Sequence, residues 1–175
     1  MKRFGVLTAT TVSLVILGVT LSSGDAVAQH KSLKEQLVGT WIYASSIRIG
    51  ADGSKTDAPS LKAIQIYTCD GHFAFVIVRA DLPKLAANDR ARATAEEARA
   101  VVAGSNAYYG TYSVNEVDKV ITPKVEGGTF ANLIGSDQKR IITSLTADEL
   151  KFTVPRTASG ETLEFVWKRA DRAIK

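Results

Sequence analysis

The chain has 175 residues, with 22 basic and 18 acidic side chains and a net charge of +4 at pH 7. These charges alternate along the chain and never gather into a basic block, which excludes an electrostatic case for nucleic acid. Cys69 is the only cysteine, so no intramolecular disulfide can form and packing alone must hold the fold.

The N-terminus reads as a secretory signal peptide over residues 1–28. Lys2 and Arg3 give a basic start, Val6 to Leu21 an apolar stretch, and Ala26-Val27-Ala28 the small residues of a cleavage site. Ser13, Gly18 and Thr20 interrupt the apolar stretch, which falls short of the roughly 20 apolar residues a span requires. No stable membrane anchor is expected, and no cysteine stands near the cleavage site to carry a lipid. The expected location is therefore periplasmic or secreted, with a single mature domain over residues 29–175. That length buries a core without staples.

The mature chain opens on Ser32-Leu33-Lys34-Glu35-Gln36-Leu37. Ser32 and Glu35 have capping-box spacing, so one to two helical turns are expected, ended by Gly39. From Thr40 the apolar period changes to two. Trp41, Tyr43 and Ile47 would share one face of a first strand. A loop from Gly50 to Ser60 follows, then a strand over Ile64 to Thr68. Asp70-Gly71 marks a hairpin of type I′, whose two central residues both need positive φ. The return strand, Phe73 to Val78, is apolar on both faces, so cover is expected on each side.

Ala80 to Ser105 departs from strand patterning. Thr94 and Glu97 form a second capping box, and a helix is expected from Ala95 to Ala103, with another turn or two near residues 86–91. Strands are then expected at Ala107 to Val114, Lys119 to Val125, Thr129 to Ile134, Lys139 to Leu145, Glu149 to Val154 and Thr162 to Lys168. Leu150, Phe152 and Val154 alternate with polar residues, as do Leu163, Phe165 and Trp167. Some eight short strands joined mostly by tight turns point to a small all-β antiparallel barrel with a short N-terminal helix and one inserted helix. A barrel of that size is either filled by side chains or holds one small ligand.

A helix followed directly by Gly39-Thr40-Trp41 resembles the opening of lipocalins. More of the chain is similar to the bacterial lipocalin-like domain family. The matching segments are Leu37-Val38-Gly39-Thr40-Trp41, Tyr67-Thr68-Cys69-Asp70-Gly71-His72-Phe73, Tyr108-Tyr109-Gly110-Thr111-Tyr112, Gly135-Ser136-Asp137-Gln138-Lys139-Arg140 and Val166-Trp167-Lys168-Arg169. The resemblance implies a barrel with a central cavity that takes a small hydrophobic molecule. It implies no settled activity, and some barrel cousins are enzymes. Related domains carry a histidine before the Val125-Glu126-Gly127 segment and Pro-Asn-Trp after it, where this chain has Lys124 and Ala131-Asn132-Leu133.

The candidate cavity lining is Tyr43, Tyr67, Phe73, Phe75, Tyr108, Tyr112 and Arg140. Aromatic walls with a few phenol hydroxyls suit an apolar ligand with limited polar character. Trp41, Trp167 and Arg169 are the candidates for closing one barrel end. In lipocalin-type barrels an arginine of a late strand packs on the first-strand tryptophan, and here Arg140 and Arg169 both qualify. An arginine turned inward would instead pair with a carboxylate ligand; stacking is preferred, because an unpartnered inward charge is costly. No catalytic constellation, metal site or cofactor motif emerges, since His30 and His72 stand without ligand partners at metal spacing. Two alternatives remain. One is an isomerase- or cyclase-like barrel enzyme using a tyrosine or His72 as acid. The other is a structural protein with a packed interior and an exposed apolar patch. The oligomeric state is not encoded in any recognisable pattern.

Overall fold

The computed structural model describes residues 31–157 and 160–170. The expected signal peptide, its cleavage site and His30 lie outside the described residues. A short helix α1 (Leu33–Leu37) leads into β1 (Gly39–Ile49), β2 (Lys55–Asp57), β3 (Leu61–Tyr67) and β4 (His72–Arg79). Helix α2 (Ala95–Gly104) runs straight into β5 (Ser105–Asn115), followed by β6 (Val120–Gly128), β7 (Arg140–Leu145), β8 (Glu149–Val154) and β9 (Thr162–Arg169). Neighbours in sequence pair antiparallel from β3 to β9. β1 pairs with both β3 and β9, which closes an eight-stranded barrel. The short β2 adds to the far end of β1 through Ile47↔Asp57, Arg48↔Thr56 and Ile49↔Lys55. Closure removes the open edges a meander would otherwise expose.

Local chemistry explains the element ends. Ser32 Oγ accepts from Glu35 N at 3.1 Å, and Ser32 N donates to Glu35 Oε2 at 2.8 Å, so the capping box is complete. The Glu116 carboxylate accepts from Leu33 N and Lys34 N at 2.7 and 3.1 Å, which fastens α1 across the adjoining barrel end. Thr94 and Glu97 make the equivalent box for α2. A 3-10 turn at Arg90–Arg92, capped by Asp89, overlaps only the end of the stretch, residues 86–91, where another turn or two is expected.

Four local expectations are corrected. The β3–β4 connection is not a type I′ hairpin, because Gly71 has φ of +93° while Asp70 is not among the positive-φ residues. Gly71 N donates to Thr68 O and Thr68 N to His72 O. This is a three-residue loop whose last position takes glycine. In β1, a bulge between Tyr43 and Ser45 moves the inward parity by one residue, so Ser46 is buried in place of Ile47. Residues Thr129 to Ile134 do not form a strand. Leu133 N bonds to Phe130 O and Ile134 N to Ala131 O, making a 3-10 turn, while β6 pairs directly with β7. Nor is β4 covered on both faces by the described residues. Val76 on its outer face is 41% exposed, and Ile42, Ile66 and Tyr109 are exposed on neighbouring strands.

The buried core runs inside the barrel through Trp41, Tyr67, Phe73, Phe75, Tyr112, Phe152, Phe165 and Trp167. The β6–β7 seam is thin. Its register consists of Val120↔Ile141 and Ile121↔Arg140, with a bridge at Lys124↔Asp137.

Candidate functional site

The barrel interior divides into a sealed end, a polar middle layer and an open mouth. At the sealed end Leu37 of α1 is fully buried against the core, and its carbonyl accepts from Trp41 Nε1 at 2.8 Å. The Arg169 guanidinium lies 4.0 Å from the Trp41 ring centroid. It donates to Val38 O at 2.9 Å, to Gln36 O at 2.7 Å and to Ala147 O. These include carbonyls that the end of α1 leaves without helical partners. Gly39 is required beside them. Its φ is +133°, and a Cβ there would stand 2.7 Å from Arg169 Nη1. Of the two arginines that qualify from sequence, Arg169 is the one on Trp41.

Arg140 points inward. It is 3% exposed, and its guanidinium sits 5.4 Å from the ring centroids of Phe75 and Phe152 and 5.9 Å from that of Phe73. Nη2 donates to Tyr108 Oη at 2.9 Å, and Nη1 donates to Tyr67 Oη and to Gln65 Oε1, the latter at 3.3 Å. Burial works against the charge, but the facing Tyr67 and Tyr108 oxygens outweigh it and hold the guanidinium above its ordinary value. Burial likewise raises Tyr67, partly offset by Arg140, and pushes Tyr112 up to about 12. Both phenols are therefore neutral donors. Tyr112 Oη donates to Thr68 O at 2.8 Å, and Tyr43 Oη shares a hydrogen bond with Ser46 Oγ at 3.0 Å.

Above this layer the barrel opens into a cavity of about 720 Å³, bordered by Leu61, Ile77, Val101, Leu163 and Phe165, with Asn106 and Ser46 as polar points. The last turn of α2 forms one wall. Arg48 and Arg79 stand at the rim, each beside an acid: Glu161 lies 3.5 Å from Arg48, and Asp81 accepts two bonds from Arg79 at 2.9 and 2.6 Å. The rim charges are thus neutralised locally, and the cavity wall is mainly hydrocarbon.

None of Tyr43, Tyr67, Phe73, Phe75, Tyr108, Tyr112 or Arg140 borders the mouth cavity. Their side chains fill the barrel beneath it, as large rings do in an interior of eight strands. Tyr108 contacts Phe75 and Phe73 at centroid separations of 4.8 and 5.9 Å, and Tyr67 meets Tyr112 at 5.0 Å. His72 is exposed in the β3–β4 turn, 3.2 Å from Asp70, so it cannot serve as an acid inside the barrel. Cys69 is exposed in the same turn. Among the described residues no group of His, Cys, Asp and Glu is placed to hold a metal, and no helix is long and apolar enough to cross a membrane.

Residues 35–170 match the family model of the lipocalin-like domain. The chain belongs to the lipocalin-like domain family. No curated protein matches it. In this lipocalin-like domain Lys124 is exposed on β6, and Ala131–Leu133 forms the 3-10 turn after it, with Leu133 partly buried against the core.

Sequence reasoning missed Gln65, Leu61, Ile77 and Leu163. Gln65 did carry a signal, since it sits two residues before inward-facing Tyr67 in an alternating strand. The mouth residues carried almost none, because they come from the ends of separate strands and from α2.

Proposed function

We propose that this chain is an exported binding protein that takes up one small, mostly apolar molecule at the open end of its barrel. The observation that carries this reading is the mouth cavity. Its volume lies within the range of small-molecule sites, and its wall is mainly hydrocarbon, with Ser46, Ser105, Asn106 and Thr129 as polar points and Arg48 and Arg79 at the rim. The reading of residues 1–28 as a signal peptide supports export, and family membership supports a ligand-binding barrel.

Titration with the neutral fluorophore N-phenyl-1-naphthylamine tests binding. Saturable one-to-one uptake is expected, and Leu163→Trp, which fills the cavity from β9, should abolish it while the circular dichroism spectrum stays native. Absence of saturable uptake, together with no retained hydrophobe in native mass spectra of protein from its own host, overturns the reading. Export is tested separately: N-terminal sequencing of the protein outside the cytoplasm should begin at Gln29.

One observation favours a second reading, a surface that meets another copy of the chain. The outer face of β1, β3, β4 and β5 aligns Ile42 with Ile64, Ile64 with Val76, Ile66 with Ala74 and Ala74 with Tyr109, and Tyr109 is 58% exposed. Sedimentation velocity separates the outcomes: a dimer that Val76→Lys dissociates supports it, and a monomer at all concentrations removes it.

A further inference from the structure

Below its rim the mouth cavity has four polar side chains, Ser46, Ser105, Asn106 and Thr129. The three hydroxyls are already engaged by the protein. Ser46 Oγ shares a hydrogen bond with Tyr43 Oη at 3.0 Å, Ser105 Oγ donates to Val101 O at 2.6 Å, and Thr129 Oγ1 accepts from Ala107 N at 3.0 Å. Asn106 differs. Its Oδ1 receives one contact from Thr129 Oγ1, at 3.5 Å, which is long for a hydroxyl donor. Its Nδ2 has no partner among the described residues.

The amide stands among hydrocarbon. Asn106 is partly buried, pairs in register with Ile77 on β4, and lies two residues before inward-facing Tyr108 on β5. Ile77, Leu61, Leu163 and Phe165 border the same cavity. While water fills the cavity the amide is solvated at no cost. A wholly apolar occupant would strip that water and leave both Nδ2 hydrogens unmatched, a penalty that a ligand acceptor removes. The cavity therefore discriminates among apolar molecules by what they offer to this one group.

We propose that Asn106 sets the specificity of the mouth, its Nδ2 donating to the carbonyl oxygen of a neutral ketone or ester carried on an apolar chain. The inference rests on the binding reading and specifies its ligand class. A carbonyl oxygen offers lone pairs to the amide and has no hydrogen of its own to place. A hydroxyl brings a hydrogen as well, which would need a second acceptor in a wall that is mainly hydrocarbon. A neutral ligand fits the rim, where Arg48 stands beside Glu161 and Arg79 beside Asp81, so that neither arginine is an unmatched cation. The reversed amide would turn Oδ1 to the cavity and select a hydroxyl instead, which makes an alcohol the deciding competitor.

Displacement of N-phenyl-1-naphthylamine from the whole mature chain by decan-2-one and by decan-2-ol tests the assignment. The two compounds share a skeleton and differ in the group offered to Asn106. The ketone should bind about fivefold tighter or more, the net effect of one hydrogen bond. Asn106→Leu should remove that advantage. Decan-2-one labelled with ¹³C at the carbonyl gives an infrared readout on the unmutated protein, should the variant fail to fold. Its bound carbonyl stretch should lie below its position in hexane. Equal affinities, a tighter alcohol or a hexane-like stretch each overturn the carbonyl site and leave the apolar binding reading intact. No uptake of fluorophore, ketone or alcohol overturns both.

Discussion

The two inward-facing arginines of this barrel have similar aromatic surroundings and different polar ones. Arg169 stacks on Trp41 and donates to three backbone carbonyls that would otherwise lack partners. Arg140 lies among Phe73, Phe75 and Phe152, and meets two phenols and an amide oxygen that need it less. Around Arg169 donors and acceptors balance, and the result is a fastened end. Around Arg140 no carboxylate among the described residues balances the charge, and phenol and amide oxygens alone offset its burial. The contrast separates an arginine that builds the barrel from one that the barrel accommodates.

The largest expected effect follows from that contrast. Arg169→Ala removes the cation on Trp41 and leaves the Gln36, Val38 and Ala147 carbonyls without their donor. Its cost should be on the order of 3 kcal/mol, combining a cation–π contact with charge-assisted hydrogen bonds. Urea denaturation measures it, and a loss below about 1 kcal/mol would erase the distinction between the two arginines. Arg140→Met should behave in the opposite way. It replaces a buried charge with hydrocarbon of similar reach, and stability should stay within about 1 kcal/mol of the original or rise. Tyr67 Oη keeps its bond to Gln65, which limits the loss. A drop of 3 kcal/mol in the same denaturation would show that Arg140 too is part of the scaffold.

The sequence made one half of this contrast legible and blurred the other. Strand alternation from Trp41 to Trp167 and two capping boxes fix the barrel, its plug and its inserted helix, because each depends on neighbours a few residues apart. An arginine next to a tryptophan-bearing strand end was also readable, but not which of Arg140 and Arg169 it would be. That choice depends on closure, which brings β9 beside β1 and places Arg169 opposite Trp41 in register. The bulge at Tyr43 and Ser45 was hidden for a related reason. It appears only as a mismatch between two strands more than a hundred residues apart, and it decides that Ser46, not Ile47, faces the cavity. The mouth itself combines strand ends with α2, whose residues show no shared period.

The smallest expected effect probes the sealed end through its exposed turn. Asp70 accepts from Thr68 Oγ1 and lies beside His72, and these contacts, the Thr68 bond foremost, hold its carboxyl down at about 2 against an ordinary 3.8. The turn is fastened to the barrel, since Gly71 O accepts from Tyr112 N at 2.8 Å and Tyr112 Oη donates to Thr68 O. A depressed carboxyl stabilises the fold above its unfolded value, and that contribution disappears as pH falls through about 2. Because the group is exposed, the effect should be small, a shallow slope in stability between roughly pH 4 and 2 that Asp70→Asn removes. Among the described residues no carboxylate pairs with Arg140, so over that interval acid loosens the turn and leaves the interior charge unchanged. Carboxyl ¹³C shifts of Asp70 that titrate near 3.8, or an unchanged slope in the variant, would mean that the turn does not couple acid to the sealed end.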